Sequence, residues 1–348
     1  MNWVQRHVRP EQIRELSLLL LIAIAVVIFG SLIDGYYTFR TFNRIASSVA
    51  IITVVGVGQT LVVLTRNIDL SVGSIVGFTA YFVGTLIAAN NGINPLLAVA
   101  IAMAIGAALG AVNGALVAWG EVPAVVVTLG TLAIYRGVLV DLSGARTVTT
   151  DSLPQWLVNL PLLNVVPIGQ LDIRAPFVFA LLIVVTFHFG TAYLSFARRL
   201  YAIGSNPEAA QLIGLPMKGL VFLAFVVCGA LSGLGGFMML ARFGNITVEA
   251  GRGLELSVIA AVVVGGVNIF GGSGTVIGAM LGAVLIGTLE QSLFRLGISE
   301  FWLGAVLGLL ILLAVASDAI LLKRLQRLWA RSELKVLAPA HKAVQQQS

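Results

Sequence analysis

Charge, histidine and cysteine are all scarce in this chain. Asp, Glu, Lys and Arg together make up 10% of its 348 residues, His occurs 3 times, and Cys228 is alone. A soluble domain of this size cannot cover its surface with so few charged side chains. A lone cysteine inside an apolar run excludes an internal disulfide. No Cys/His cluster has metal-ligand spacing, and neither H-E-x-x-H nor G-x-S-x-G occurs, so metal binding and hydrolytic chemistry find no motif. No lysine follows a glycine, which excludes the phosphate-cradling G-x-x-x-x-G-K-[ST] loop. If ATP powers this chain's task, another polypeptide must hydrolyse it.

In place of charge the chain is 58% hydrophobic, gathered in segments near the length that crosses a bilayer as a helix. Ten such segments are predicted: 16–33, 45–64, 71–89, 96–119, 122–140, 175–194, 219–243, 255–270, 274–293 and 302–322. The fold class expected is an all-α polytopic membrane protein of about ten transmembrane helices. The first segment follows a basic N-terminus but has no small-x-small cleavage site, and reads as an uncleaved anchor. Pro123 opens the fifth segment, and Gly265-Gly266 with Gly271-Gly272 punctuate the eighth. Either could be broken or partly re-entrant, which lipid tolerates only where protein covers the freed backbone.

Basic residues set the expected orientation. With the N-terminus inside, 13 Lys and Arg fall in cytoplasmic segments and seven outside, and all four lysines are inside. The expected organisation is an N-tail over 1–15, a membrane domain over 16–322 with a cytoplasmic loop at 195–218, and a basic C-tail over 323–348, both termini cytoplasmic. The external loop 141–174, with Pro154, Pro161, Pro167 and Trp156, reads as a short interfacial element.

Glycines recur every fourth residue at Gly106/Gly110/Gly114, Gly274/Gly278/Gly282, Gly73/Gly77, Gly229/Gly233 and Gly304/Gly308. Such stripes let helix backbones approach closely, and tight bundle packing is the reading for most of them. A weak internal similarity links Ile68-Asp69-Leu70-Ser71-Val72 with Leu254-Glu255-Leu256-Ser257-Val258; paired halves are common in transporters.

Ionisable groups are rare inside the spans. Glu290 and Asp318 lie near helix ends, Asp69 and Glu255 at boundaries, and His188 in the second half of its span. Carriers coupled to protons or sodium usually need such groups, so their scarcity argues against secondary transport. His188 reads as a hydrogen-bonded or snorkelling side chain.

The loop from Arg198 to Pro216 is the most informative stretch. Its middle predicts a two-turn helix: Ser205 and Glu208 have capping-box spacing, Asn206 before Pro207 offers an alternative cap, and Gly214 with Pro216 stops it. Two turns cannot cross a bilayer, but they can dock in a partner's groove.

Glu208-Ala209-Ala210-x-x-x-Gly214 resembles the E-A-A-x-x-x-G loop of ABC importer permeases. The longer Ala202–Gly214 pattern is similar to the branch serving ribose, xylose, rhamnose and the furanosyl autoinducer. Thr65-Arg66-Asn67-Ile68-Asp69-Leu70-Ser71, Asn113-Gly114, Pro123, Thr128-Leu129-Gly130-Thr131, Tyr135-Arg136-Gly137 and Gly253-Leu254-Glu255-Leu256 match it in order, over residues 45 to 320. The resemblance implies a type II-like permease bundle in the bacterial inner membrane. It further implies a second permease subunit, two ATP-binding subunits carrying the ATP and Mg, and a periplasmic sugar-binding protein. This chain would bind no cofactor and no metal. Ser205, Asn206, Glu208, Ala209, Ala210 and Gly214 would form the coupling helix on the ATPase. The implied function is import of a sugar-like solute, nearest to rhamnose, pentose or the furanosyl autoinducer.

A sugar's path needs uncharged polar groups beside small residues. Gln59, Thr60, Asn67, Ser71, Ser74, Asn113, Thr128 and Thr131 are the candidates, with Asp69 as either a path residue or an N-cap of the third span. Asn113 can be an interhelical donor or line a pore, and Ser273 is expected to cap the ninth span. A secondary carrier or channel for a small neutral solute also fits the hydropathy, but leaves the Glu208–Gly214 helix without a task.

Overall fold

The computed structural model describes residues 10–168, 171–299 and 301–316. Eight of its helices are long and apolar enough to span a membrane: α1 (Pro10–Leu32), α2 (Phe39–Leu64), α3 (Val72–Ala89), α4 (Pro95–Ala118), α5 (Ala124–Ser143), α7 (Ala175–Tyr193), α10 (Met217–Phe243) and α12 (Val276–Arg295). Two more apolar helices are α11 (Leu254–Val264), which is shorter, and α13, which is described over Phe301–Ala316. Of the ten expected segments, eight are therefore long helices, the eighth in order is a short one, and the tenth is described only to residue 316. The far end of the tenth, beyond residue 316, and the basic C-tail lie outside the described residues. The loop expected to be interfacial holds a five-residue helix α6 (Gln155–Asn159) and an antiparallel hairpin of β1 (Asn164–Ile168) and β2 (Leu171–Arg174). That hairpin departs from a purely helical description.

Local chemistry explains where the long helices start and stop. Thr38 Oγ1 accepts from the Thr41 amide at α2, and Asn94 Oδ1 from the Leu96 amide at α4, where Pro95 follows. α5 and α10 end on Gly144 and Gly244 in left-handed conformation. The fifth helix, whose continuity the sequence left open, is unbroken: Pro123 stands just ahead of it, where a missing N–H costs nothing.

α2 occupies the centre, covered almost completely by α10, α12, α7 and α11, whereas α1, α4 and α7 leave most of their residues uncovered by the rest of the chain. Lipid is as apolar as leucine, so the helices gain from close contact rather than from escaping water. The most extensive contact joins α4 and α10. A methyl group on Gly106 would overlap the Gly229 carbonyl, one on Gly110 the Phe225 carbonyl, and one on Gly233 the Ala102 carbonyl. Gly278 and Gly282 of α12 meet Gly265 and Ala261 of α11 in the same way. Gly304 and Gly308 face nothing within contact distance, so that repeat contributes no packing among the described residues.

The eighth segment is the broken one. Gly253, at φ 81°, turns the chain into α11, which ends at Gly265 after 11 residues, a rise of about 16 Å or half the hydrocarbon core. The other half is covered by the irregular stretch 244–253. It begins beside the loop after α5, where Val148 and Ile246 exchange both backbone hydrogen bonds at 3.0 Å. It then descends until Gly251 packs on the backbone of Gly73 and Gly77. Carbonyls freed there need partners. Arg136 supplies them, donating from Nη1 to Val248 O at 2.8 Å and to Ala250 O at 2.7 Å. The similar stretches 68–72 and 254–258 thus lie side by side: the Glu255 carboxylate occupies the space where Gly73 would carry a side chain.

Candidate functional site: a docking loop and an opposite cavity

Contacts sort the ends of the helices onto two faces. On one, Arg14 bonds Gly266, Glu15 bonds Thr275, Gly272 bonds Leu64, Tyr201 bonds Gly274 and Lys218 pairs with Glu121. On the other, Tyr36 bonds Ser292, Arg295 bonds Thr41 and Arg242 bonds Ser48. The chain alternates between these faces, as a multi-pass protein must.

The first face carries the loop 195–218. It holds two helices rather than one: α8 (Ser195–Ser205) and α9 (Pro207–Leu212). α8 was not anticipated, although Ala197, Leu200, Ile203 and Gly204, all buried, follow helical spacing. Its other face exposes Arg198 and Arg199. Asn206, not Ser205, caps α9, accepting from the Ala209 amide at 3.0 Å. Ser205 is the last residue of α8, so its side chain cannot serve as the cap of a capping box. Gly214 ends the loop's helix at φ 72°, while the Leu215 amide reaches back to Ala210 O at 3.0 Å. Ala210 is buried; Glu208 and Ala209 point outward, and Leu212 and Ile213 are 88% and 73% exposed.

Arg66 anchors this pair of helices to the bundle. Its Nε donates to Gly204 O at 2.6 Å and its Nη2 to Ser205 O at 3.0 Å. A guanidinium at two terminal carbonyls satisfies orphan acceptors and opposes the negative end of α8. From Arg66 the chain leads directly to the polar residues singled out in the sequence. Asp69 Oδ1 accepts from the Ser71 amide at 2.9 Å and from the Ser71 hydroxyl at 2.6 Å. Asp69 therefore closes a turn one step ahead of α3 rather than capping the helix amides. Asn113 Nδ2 of α4 donates to Ser71 Oγ at 2.7 Å, the interhelical bond expected of it, and Tyr135 of α5 donates to Leu109 O at 2.9 Å beside it.

Gln59 joins the same network. Its amide, oriented by its partners, accepts from Asp69 N–H at 3.1 Å and donates to Asp69 O at 3.2 Å. Ser74 donates to Ser71 O, and Thr128 to Ile68 O and Ala124 O. Thr131 bonds Thr128 O within α5, Thr60 bonds Gly56 O within α2, and Asn67 bonds back to Thr65. Gln59, Asp69, Ser71 and Asn113 are wholly buried. The structure thus gathers most of the expected path residues into one closed network, and none of them lines the large cavity described next. Ser273 does not cap α12; Thr275 does, accepting from the Gly278 amide at 2.9 Å.

That cavity, about 710 Å³, opens toward the opposite face between α2, α10, α12, α13 and the 244–253 stretch. Ser48, Arg242, Ser257, Glu290 and Gln291 are the polar lining that the helices supply, and Asn245, Thr247, Glu249 and Arg252 line it from the 244–253 stretch. Each of the five on helices was legible only as an isolated polar residue on an apolar span. No group of three or more potential metal ligands occurs among the described residues.

Comparison with known proteins agrees with this architecture. The family model described as "Branched-chain amino acid transport system / permease component" matches residues 41–315. The protein named "Autoinducer 2 import system permease protein LsrC" from Shigella flexneri is 36% identical over 317 residues, covering 90% of this chain and 89% of the relative. Its namesakes from Yersinia pseudotuberculosis and Yersinia enterocolitica are each 35% identical over 308 residues, covering 88% of this chain and 84% and 82% of the relatives. No solved structure was found to match. An α-helical membrane bundle with a matched region this long places the chain plainly: it belongs to the family of branched-chain amino acid transport system permease components, as a transport subunit rather than an enzyme.

Proposed function

We propose that this chain is the membrane subunit of an ATP-driven importer for an uncharged, hydroxyl-rich solute of the autoinducer 2 or sugar class. The relatives named for autoinducer 2 import support the solute class. The observation that carries the ATP-driven reading is α9: a capped, stopped helix that shows Glu208, Leu212 and Ile213 to the exterior of the bundle. Exposed leucine and isoleucine at the end of a membrane protein's loop call for a partner's apolar groove. In this reading Ser205, Asn206, Glu208, Ala209, Ala210 and Gly214 build the contact with a separate ATP-hydrolysing subunit. Arg66 passes its movement to the Asp69 network and so to α3, α4 and α5. A second permease subunit and a periplasmic binding protein complete the importer.

The face bearing α9 is the cytoplasmic one in this proposal, with both chain ends on that side, consistent with the basic residues at 198, 199 and 218. Cysteines introduced as Gln211→Cys and Asp151→Cys, each in a Cys228→Ala background, test it. An impermeant thiol reagent should reach the first only from the cytoplasm and the second only from the periplasm; reversed labelling would overturn the orientation. Reconstitution tests the function: with its ATPase and binding protein the chain should take up autoinducer 2 or a sugar only when ATP is inside. Uptake by the chain alone in ATP-free liposomes would make it a secondary carrier, and uptake of leucine would assign another solute.

A further inference from the structure

We propose that the 710 Å³ cavity is a solute subsite belonging to this subunit, one that holds a neutral polyhydroxylated molecule before it passes the 244–253 stretch. This rests on the import reading above and adds where the solute is held and by which groups.

Four elements bring polar side chains to one wall. Ser48 Oγ of α2 accepts from Arg242 Nη2 of α10 at 2.9 Å and from Gln291 Nε2 of α12 at 2.8 Å. Ser257 of α11 donates its hydroxyl to Glu290 Oε1 of α12. Placing a guanidinium, a carboxylate and an amide inside an apolar bundle is costly, and packing alone would be met by aliphatic residues. Hydrogen-bonding capacity remains. Arg242 has five N–H donors, of which the Ser48 bond uses one, and Gln291 keeps its carbonyl. These suit vicinal hydroxyls.

The charges balance. Among the lining residues Arg242 and Arg252 face Glu249 and Glu290, and Arg252 is already paired with Glu249 at 2.6 Å. An ionic solute would leave one charge of this set uncompensated; a neutral one does not. Ile51, Ile52 and Phe294 are among the apolar lining residues, which fit the C–H faces of a small ring, and the volume lies within the range usual for small-molecule sites. Gly251, at the cavity's edge, packs on the backbone of Gly73 and Gly77 at the start of α3.

Thiol protection on the full transporter in nanodiscs, without binding protein, tests the subsite separately from transport. The reporter is Leu256→Cys, a lining position, in a Cys228→Ala background. Ribose and rhamnose should slow its labelling by an impermeant thiol reagent, whereas leucine and ribose 5-phosphate should not. Gln291→Ala removes one bond and no charge, and Ser48→Ala removes the acceptor that Arg242 and Gln291 share; each should raise the sugar concentration needed for protection about tenfold. Glu290→Gln leaves net positive charge and should let ribose 5-phosphate protect. The proposal is overturned if neither sugar protects, if leucine protects equally, or if protection is unchanged in both Ser48→Ala and Gln291→Ala. Protection without ATP-dependent uptake would instead count against the import reading and leave the subsite standing.

Discussion

The guanidinium of Arg66 donates from Nε to the carbonyl of Gly204 at 2.6 Å, tying the turn after α2 to the end of α8 across 138 residues of sequence. The same turn continues into Asp69, whose backbone pairs with Gln59 and whose side chain holds Ser71. A push on α9 therefore has a short covalent and hydrogen-bonded route to α3, and through Ser71 and Asn113 to α4.

Arg66→Gln should weaken that route without displacing the spans. Hydrogen bonds from a charged donor contribute about 1.5–3 kcal/mol, and Lys cannot reproduce the guanidinium fork. Both Arg66→Gln and Arg66→Lys should therefore lower solute-stimulated ATP hydrolysis at normal membrane levels. Full stimulation in both variants would mean that α8 is held by its apolar face alone.

The cap of α9 discriminates between adjacent residues. Asn206→Ala removes the acceptor of the Ala209 amide and should cost about 0.5–2 kcal/mol of local helix stability, weakening ATPase association in pull-down. Ser205→Ala removes no cap and should leave association near wild type. Equal losses would restore the role that capping-box spacing assigned to Ser205.

Glycines with the same spacing should differ sharply in stability. Gly229→Ala places a methyl against the Gly106 carbonyl and the Gly110 backbone, and overpacking of this kind costs about 1–3 kcal/mol. Gly304→Ala meets nothing and should leave the melting temperature in detergent unchanged.

Asp69 carries a wholly buried carboxylate whose Oδ2 has no hydrogen-bond partner. Asn keeps an acceptor for Ser71 and removes any need to bury charge, while Ala removes the acceptor as well. If the network is structural, Asp69→Asn should retain thermal stability and uptake, and Asp69→Ala should lose both. Loss of uptake in a stable Asp69→Asn protein would show that the ionisable group itself takes part in transport.

Much of this architecture is written locally. Span positions follow from apolar runs, and Gly265-Gly266 marked the eighth as breakable because a half-helix needs such an end. The α4–α10 interface was visible as two glycine stripes, though only the fold shows that they meet each other. What was not legible depends on depth and convergence. Nothing in residues 244–253 announces that they descend beside Gly73, because the carbonyls they free are satisfied by Arg136, more than 100 residues earlier. Likewise Ser48, Arg242, Ser257, Glu290 and Gln291 come from four elements and are unremarkable until the bundle closes. The neutral polar residues chosen for a path, Gln59, Ser71 and Asn113, bond to one another and to Asp69 instead, a competition that spacing cannot reveal.

In the proposed importer α9 receives the work of ATP hydrolysis, and Gly214 is the position at which to test that role. At φ 72° a β-branched residue is strained by about 1–3 kcal/mol, while space around the position is open, so Gly214→Val acts on the backbone of the loop and not on the bundle. The measurement is ATP-dependent solute uptake and ATPase association in proteoliposomes containing the complete importer, at matched permease content, for Gly214→Val beside Gln211→Ala. Both uptake and association should fall markedly in Gly214→Val and remain near wild type in Gln211→Ala; wild-type uptake and association in Gly214→Val would mean that α9 does not couple ATP hydrolysis to transport.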